Sequence, residues 1–147
     1  MIRKAVEQDI IEIISMSEKF YAQTHYAKLI PANNAAVGAL ALMLIEQGSI
    51  FVAEVAGTVV GVLGFLCTPF MFNPELLGAY EIVWYIEEEF RSLGFGPKLL
   101  LAAEQEFKRV GINFIQMVDL PENTSGAGEL YKRLDYSVSE LSYTKVI

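Results

Sequence analysis

Cysteine is almost missing from this chain: one residue, Cys67, stands among 147. An internal disulfide is therefore excluded, and no Cys/His spacing resembles a zinc site. Cys67 lies in the apolar run Leu63-Gly64-Phe65-Leu66-Cys67, where a buried, inert thiol is the commoner state and a nucleophile the rarer one. A reducing cytoplasm is the compartment this usage implies. Positive charge is scarce too. Eleven Lys and Arg against 18 Asp and Glu leave a formal charge of −7, and a general nucleic-acid binder needs clustered cations against the phosphates. The same charge suits a cationic partner, although solubility alone also explains it. Long hydrophobic runs are absent as well. The longest, Val59 to Phe72, is interrupted by Pro69 and falls short of the about 20 apolar residues that span a bilayer. The opening Met1-Ile2-Arg3-Lys4-Ala5-Val6-Glu7 is too charged for a secretory signal, so neither export nor a membrane partner is expected.

What is present is globular. Apolar residues make up 53% and charged residues 20%, a balance that buries a core where a disordered chain could not. No repeat, low-complexity tract or linker divides the chain, and its length fits one domain over residues 1–147. Periodicity predicts a short edge strand over Met1–Ala5. A helix over Asp9–Phe20 follows, with Asp9 as N-cap and Glu12 at capping-box spacing. Tyr21 to Pro31 reads as a loop, Asn34 to Glu46 as a helix stopped by Gly48. Ile50–Val55 and Val59–Cys67 flank Ala56-Gly57-Thr58 as a hairpin, and Tyr80–Glu87 is a further strand. A helix from Gly94 to Val110 closes at Gly111. Ile112–Val118 is a strand, Ser125–Leu134 a helix, and Tyr136–Ile147 one or two last strands. The order is mixed α/β rather than regularly alternating.

One segment carries chemistry. The strand Tyr80–Glu87 runs into a loop holding Arg91, Gly94 and Gly96, which opens directly into the long helix. Glycines allow a tight turn and close backbone approach. The free N–H groups and positive dipole end of the helix offer an anion site, and Arg91 adds a cation. Pro97 suits the first helical turn, where its missing N–H costs little. A pyrophosphate fits such a geometry. Walker A spacing is absent, and the dinucleotide fingerprint has only two of its three glycines, late in the chain.

Arg91-x-x-Gly94-x-Gly96 in this context resembles the coenzyme A signature of the GNAT superfamily of N-acetyltransferases. The stretch Ala127-Gly-Glu-Leu130-Tyr131-Lys-Arg-Leu134-Asp135-Tyr136 resembles the family's Ala-x-x-Leu-Tyr-x-x-x-Gly-Phe ending, and Tyr136 to Lys145 looks like its last strands. The close matches cover the C-terminal half; the N-terminal half agrees in its order of elements. Three departures stand out. Glu88 occupies the place of a frequent proline, Asp135 that of a glycine, and Asn123 precedes Ala127 by four positions rather than three. The resemblance implies a mostly antiparallel central sheet of six to seven strands flanked by about four helices.

The resemblance also implies roles. Acetyl-CoA would be the co-substrate, with no metal, and an amine on a small molecule or a protein would be the acceptor. Tyr85 and Ile86 would meet the pantetheine. Arg91, Ser92, Leu93, Gly94, Phe95 and Gly96 would meet the pyrophosphate, with Asn123 as the family's cofactor-side asparagine. Tyr131 aligns with the tyrosine that protonates the leaving thiolate, a task open to a phenol; packing of the last helix is the plainer role. Glu81 stands where relatives carry a general base. Plain alternation puts it on the face of Val83 and Tyr85, opposite Ile82, Trp84 and Ile86, unless a bulge changes the register. Glu87, Glu88 and Glu89 read as a solvated turn. Tyr21, His25 and Tyr26 sit in the loop that borders the acceptor pocket in such enzymes, and a purely structural loop would use them equally. Phe70, Met71 and Phe72 suit core packing, a pocket lip or a dimer contact, and dimers are frequent in the family. A CoA-binding module without turnover is the competing reading, because a fold does not choose a function.

Overall fold

In a computed structural model, residues 1–121 and 126–147 are described. The Ala56-Gly57 turn has φ of 49° and 82°, the left-handed pair that closes a two-residue hairpin with the correct twist. It joins β2 (Ile50–Val55) to β3 (Thr58–Phe70), and a second reversal at Met71-Phe72 leads into β4 (Asn73–Ile86). β1 (Ile2–Lys4) pairs antiparallel with β2, β2 with β3 and β3 with β4, while β5 (Phe114–Gln116) lies parallel to β4. The sheet order is β1-β2-β3-β4-β5.

Helices cover both faces. α1 (Ile10–Ala22) and α2 (Asn34–Gln47) pack with Ile50, Val52, Val62, Val83 and Tyr85 on one side. α3 (Phe95–Val110) and α4 (Ala127–Arg133) pack with Phe51, Leu63, Phe65, Ala79 and Ile86 on the other. Both faces are thus covered where residues 61–65 of β3 meet residues 81–86 of β4, which holds their register there. At the start of α2, Asn33 caps by accepting the Ala36 N–H at 3.0 Å, and Gly48 ends it in the left-handed conformation expected of it. Asp9 does not cap α1 through its side chain. It accepts the Val6 N–H at 2.9 Å and a forked pair of bonds from Arg3 at 2.7 and 2.9 Å, tying β1 to the entrance of the helix.

Three expectations are corrected. β3 and β4 extend well past Cys67 and before Tyr80. Pro69 is tolerated because β2 pairs only with Thr58 to Gly64, so the outer part of β3 borders no strand on that side. The strand expected at Ile112–Val118 shortens to three residues. The sheet has five strands among the described residues, not six or seven, because Tyr136–Ile147 forms no ladder. Val138, Leu141 and Tyr143 are 82%, 80% and 94% exposed, so the tail's β-prone side chains bury little surface that would hold them against the sheet.

One irregularity interrupts the β3–β4 ladder. Gly64 pairs with Val83, but the next residue on β3, Phe65, pairs with Glu81. Ile82 is therefore an extra residue on β4, a β-bulge. Phe65 is fully buried and meets Phe107 of α3 edge-on at 5.0 Å. Phe65→Ala is expected to cost about 3–5 kcal/mol in denaturant unfolding, and a cost below about 1 kcal/mol would refute its place as an anchor opposite the bulge.

Candidate active site

The bulge moves Glu81 to the α3/α4 face. Ile82 and Val83 both pack toward α1 and α2, so Glu81 shares its side with Ala79 and Trp84 instead of Val83 and Tyr85. Plain alternation is overturned there, and the result is a cluster. The Val118 N–H donates to Glu81 Oε2 at 2.9 Å, and the Tyr131 hydroxyl donates to the Val118 carbonyl at 2.9 Å. The same hydroxyl lies 3.5 Å from Glu81 Oε2. α4 delivers Tyr131, which is 8% exposed, and the Trp84 ring lies 5.9 Å from its ring. Val118 follows β5, so two strands and a helix converge on one carboxyl and one phenol.

Burial pushes the Glu81 carboxyl up to about 7, against the opposing pull of the Val118 and Tyr131 bonds, and the Asp119 charge adds to the rise. Burial also raises the Tyr131 phenol well above its ordinary value, followed by the charges of Glu81 and Asp119. Near neutrality Tyr131 therefore keeps its proton, and the Glu81 carboxyl lies in the range where it can take or give one.

The second part of the site begins where β4 and β5 separate. β5 pairs with Gly78 to Tyr80 only, so among the described residues β4 has no strand on that edge from Glu81 to Ile86. A short 3-10 turn, Glu88–Leu93, then leads to Gly94, whose φ of 73° suits glycine and starts α3 without a side-chain cap. Ser92 and Leu93 are exposed, and Phe95 leans on Phe90 at 6.5 Å between ring centres. Arg91 donates from Nε to the Ile86 carbonyl at 2.9 Å and stands 5.3 Å over the Tyr85 ring. Gly96 approaches the indole of Trp84: a Cβ there would lie 3.3 Å from Cζ2.

Tyr21, His25 and Tyr26, the residues expected on the acceptor side, are not joined to this cluster by a described bond. Tyr21 donates its hydroxyl to the Ile30 carbonyl at 2.6 Å, while His25 and Tyr26 are exposed in or beside a 3-10 turn. Glu87 is not merely solvated, since it pairs with Lys19 of α1 at 2.6 Å beside a groove of about 450 Å³ bordered by Gln23, Tyr85, Glu88 and Glu89. Asn123 lies outside the described residues. Cys67 is half-buried and its thiol is pushed up by burial. Trp84 and Val118 were missed from sequence. Trp84 could have been noticed as the lone tryptophan on the strand that precedes the glycines. Val118 acts through its backbone, which leaves no signal in side-chain type.

Glu81 has a measurable consequence for stability. The folded protein keeps this proton up to about pH 7, whereas an unfolded glutamate releases it near about 4.3. Between those limits the folded state holds more protons, so stability falls as pH rises through the window. Glu81→Gln is expected to match the parent at pH 4 and to exceed it by about 1–3 kcal/mol at pH 8 in denaturant unfolding. Parallel pH dependence in the two proteins would contradict a Glu81 that the fold keeps protonated.

Comparison with known proteins bears on this arrangement. The model of the acetyltransferase (GNAT) family matches residues 9–136. No curated protein matches. Among solved structures, a transcriptional regulator from Bacillus halodurans C-125 is similar at 20% identity and a TM-score of 0.77, covering 100% of this chain and 99% of that one. A ribosomal-protein-alanine N-acetyltransferase from Brucella melitensis biovar Abortus 2308 is similar at 15% identity and 0.72, covering 100% and 99%. The aminoglycoside N-acetyltransferase AAC(6')-Iy, in complex with CoA, is similar at 14% identity and 0.75, covering 100% and 93%. At these identities the likeness is one of fold. Among the described residues no helix is long and apolar enough to cross a membrane.

Proposed function

Because this chain belongs to the acetyltransferase (GNAT) family, we propose that it transfers an acetyl group from acetyl-CoA to a primary amine by direct attack in a ternary complex. The observation that carries the reading is the Glu81–Val118–Tyr131 cluster, set on the same strand that ends at the Arg91–Gly96 turn. The residues fit a CoA thioester. The uncapped start of α3 and the Arg91 guanidinium suit the pyrophosphate, and the open edge of β4 through Tyr85 and Ile86 suits the amides of a pantetheine arm. The aminoglycoside enzyme of similar fold is bound to CoA, which supports the same ligand here.

Acetyl-CoA supplies the activated acyl group. Glu81 takes the proton that the amine must lose, directly or through a water, and Tyr131 returns a proton to the departing sulfur as the amide forms. For that step the Tyr131 hydroxyl turns from the Val118 carbonyl, its partner at rest. The positive end of α3 and Arg91 hold the phosphates, and fixed positioning supplies much of the rate. Tyr21, at the end of α1, and His25 and Tyr26, in the turn that follows it, are the acceptor-side residues we assign. The net charge of −7 suits a cationic amine.

Calorimetric titration with acetyl-CoA, with NADH and ATP as controls, tests the donor. Selective binding that Arg91→Ala weakens is the expected result, and no binding by the folded protein overturns the reading. An amine panel followed by thiol release then tests turnover. Tyr131→Phe is expected to lose about 10²-fold in kcat with CoA affinity unchanged; full turnover in this variant would remove Tyr131 from the chemistry. With Glu81 as base, kcat/KM rises with pH and levels above about 7. Glu81→Gln is expected to abolish that rise together with about 10²-fold of the rate. A protein that binds acetyl-CoA yet releases no thiol with any amine would be a binding module instead.

A further inference from the structure

Trp84 is the only tryptophan of the chain, and its indole Nε1 is buried without a hydrogen-bond partner among the described residues. A buried indole N–H ordinarily has an acceptor, since leaving one unmade costs about 1–3 kcal/mol. The packing around this donor lies inside the site already described. Trp84 stands on the stretch of β4 that has lost its β5 partner. Its ring lies 5.9 Å from that of Tyr131, at the end where the sulfur would depart. On the other side is Gly96 in the first turn of α3, where a Cβ would come to 3.9 Å from Nε1 itself. The lone donor thus sits between the turn assigned to phosphates and the phenol assigned to sulfur.

We propose that the Trp84 indole N–H is a cofactor-positioning donor that takes an amide carbonyl oxygen of the pantetheine arm. The inference rests on acetyl-CoA being the donor. The arm is the part of CoA that links its phosphate end to its sulfur, and its amide carbonyls are its strong neutral acceptors. Gly96 carries no side chain over the indole, so the first turn of α3 is the cover that yields when the arm enters. The ring itself packs on Tyr131, so fixing the indole also fixes the phenol.

The single tryptophan makes the test direct, because the protein has one indole N–H resonance. It would be followed by NMR on the full chain during titration with CoA and, separately, with adenosine 3'-phosphate 5'-diphosphate, which has the phosphates and no arm. The expected result is a downfield shift and slowed exchange with CoA and little change with the nucleotide. In calorimetry, Trp84→Phe is expected to weaken CoA by about 3- to 10-fold and to leave the nucleotide's affinity unchanged. CoA that binds without moving the indole proton downfield overturns the proposal, as does an equal response to both ligands. A Trp84→Phe variant that loses both ligands equally points to ring packing under Gly96 and also overturns it. If CoA fails to bind the unaltered protein at all, the acetyl-CoA reading itself falls, a result separable from the others.

Discussion

Everything at the candidate site depends on one residue too many in β4. Strand geometry alternates side chains between two buried layers, and here those layers are occupied by different helices: α1 and α2 on one side, α3 and α4 on the other. Without Ile82 as an insertion, Glu81 would point with Val83 and Tyr85 into the first layer, remote from Tyr131. With it, Glu81 turns to the second layer while Val83, Trp84, Tyr85 and Ile86 keep their own faces. The bulge is held from both sides. Phe65, the cross-strand partner of Glu81, is locked edge-on against Phe107, and Val83 is buried in the opposite cluster. A slip of register would expose one set and bury a charge in the other.

The bulge and the departure of β5 act together. β5 pairs with β4 just long enough to bring Val118 alongside Glu81, and then leaves the edge of β4 open. Val118 uses its N–H for the carboxyl and its carbonyl for the phenol, so one peptide segment places both groups. Burial then adjusts their proton affinities in the same direction, upward, for a shared reason: neither charge is welcome in that layer. The result is a carboxyl near 7 beside a phenol that stays protonated, a difference that comes from residue type, with the environment moving the carboxyl toward neutrality.

Much of this was legible in the chain. The Ala56-Gly57 turn, the stop at Gly48, the glycine-hinged start of α3 and the long amphipathic helix each carry a local residue signature, and the structure has them where expected. The features that escaped are non-local. Nothing in Glu81-Ile82-Val83-Trp84 marks Ile82 as the extra residue, since a bulge of this kind needs no glycine and is decided by pairing with β3. The strand reads as ending at Cys67, short of Pro69, because the tolerance of that proline depends on β2 having already stopped. The tail from Tyr136 reads as strand, yet its apolar side chains stay exposed, and propensity without burial makes no ladder. The side chains Glu81 and Tyr131 were nameable in advance; the backbone of Val118 and the lone donor on Trp84 were not.

β4 also works as a ruler. From Glu81 to Ile86 its backbone advances roughly 16 Å at the usual rise of a strand, with the Glu81 carboxyl at one end and the Ile86 carbonyl, bound by Arg91, at the other. Arg91 is thereby pinned through Nε to the strand's end and stacked on Tyr85, so the cation that would meet the phosphates is indexed to the same strand as the group that would meet the amine. A flexible loop arginine would leave that separation loose. Here the strand is hydrogen-bonded to β3 along Gly61 to Phe65 and covered on both faces, which makes the distance between Arg91 and the Glu81 carboxyl a property of the sheet. Catalysis by positioning requires such a fixed span, because a misplacement of about 1 Å can cost on the order of 10²-fold in rate.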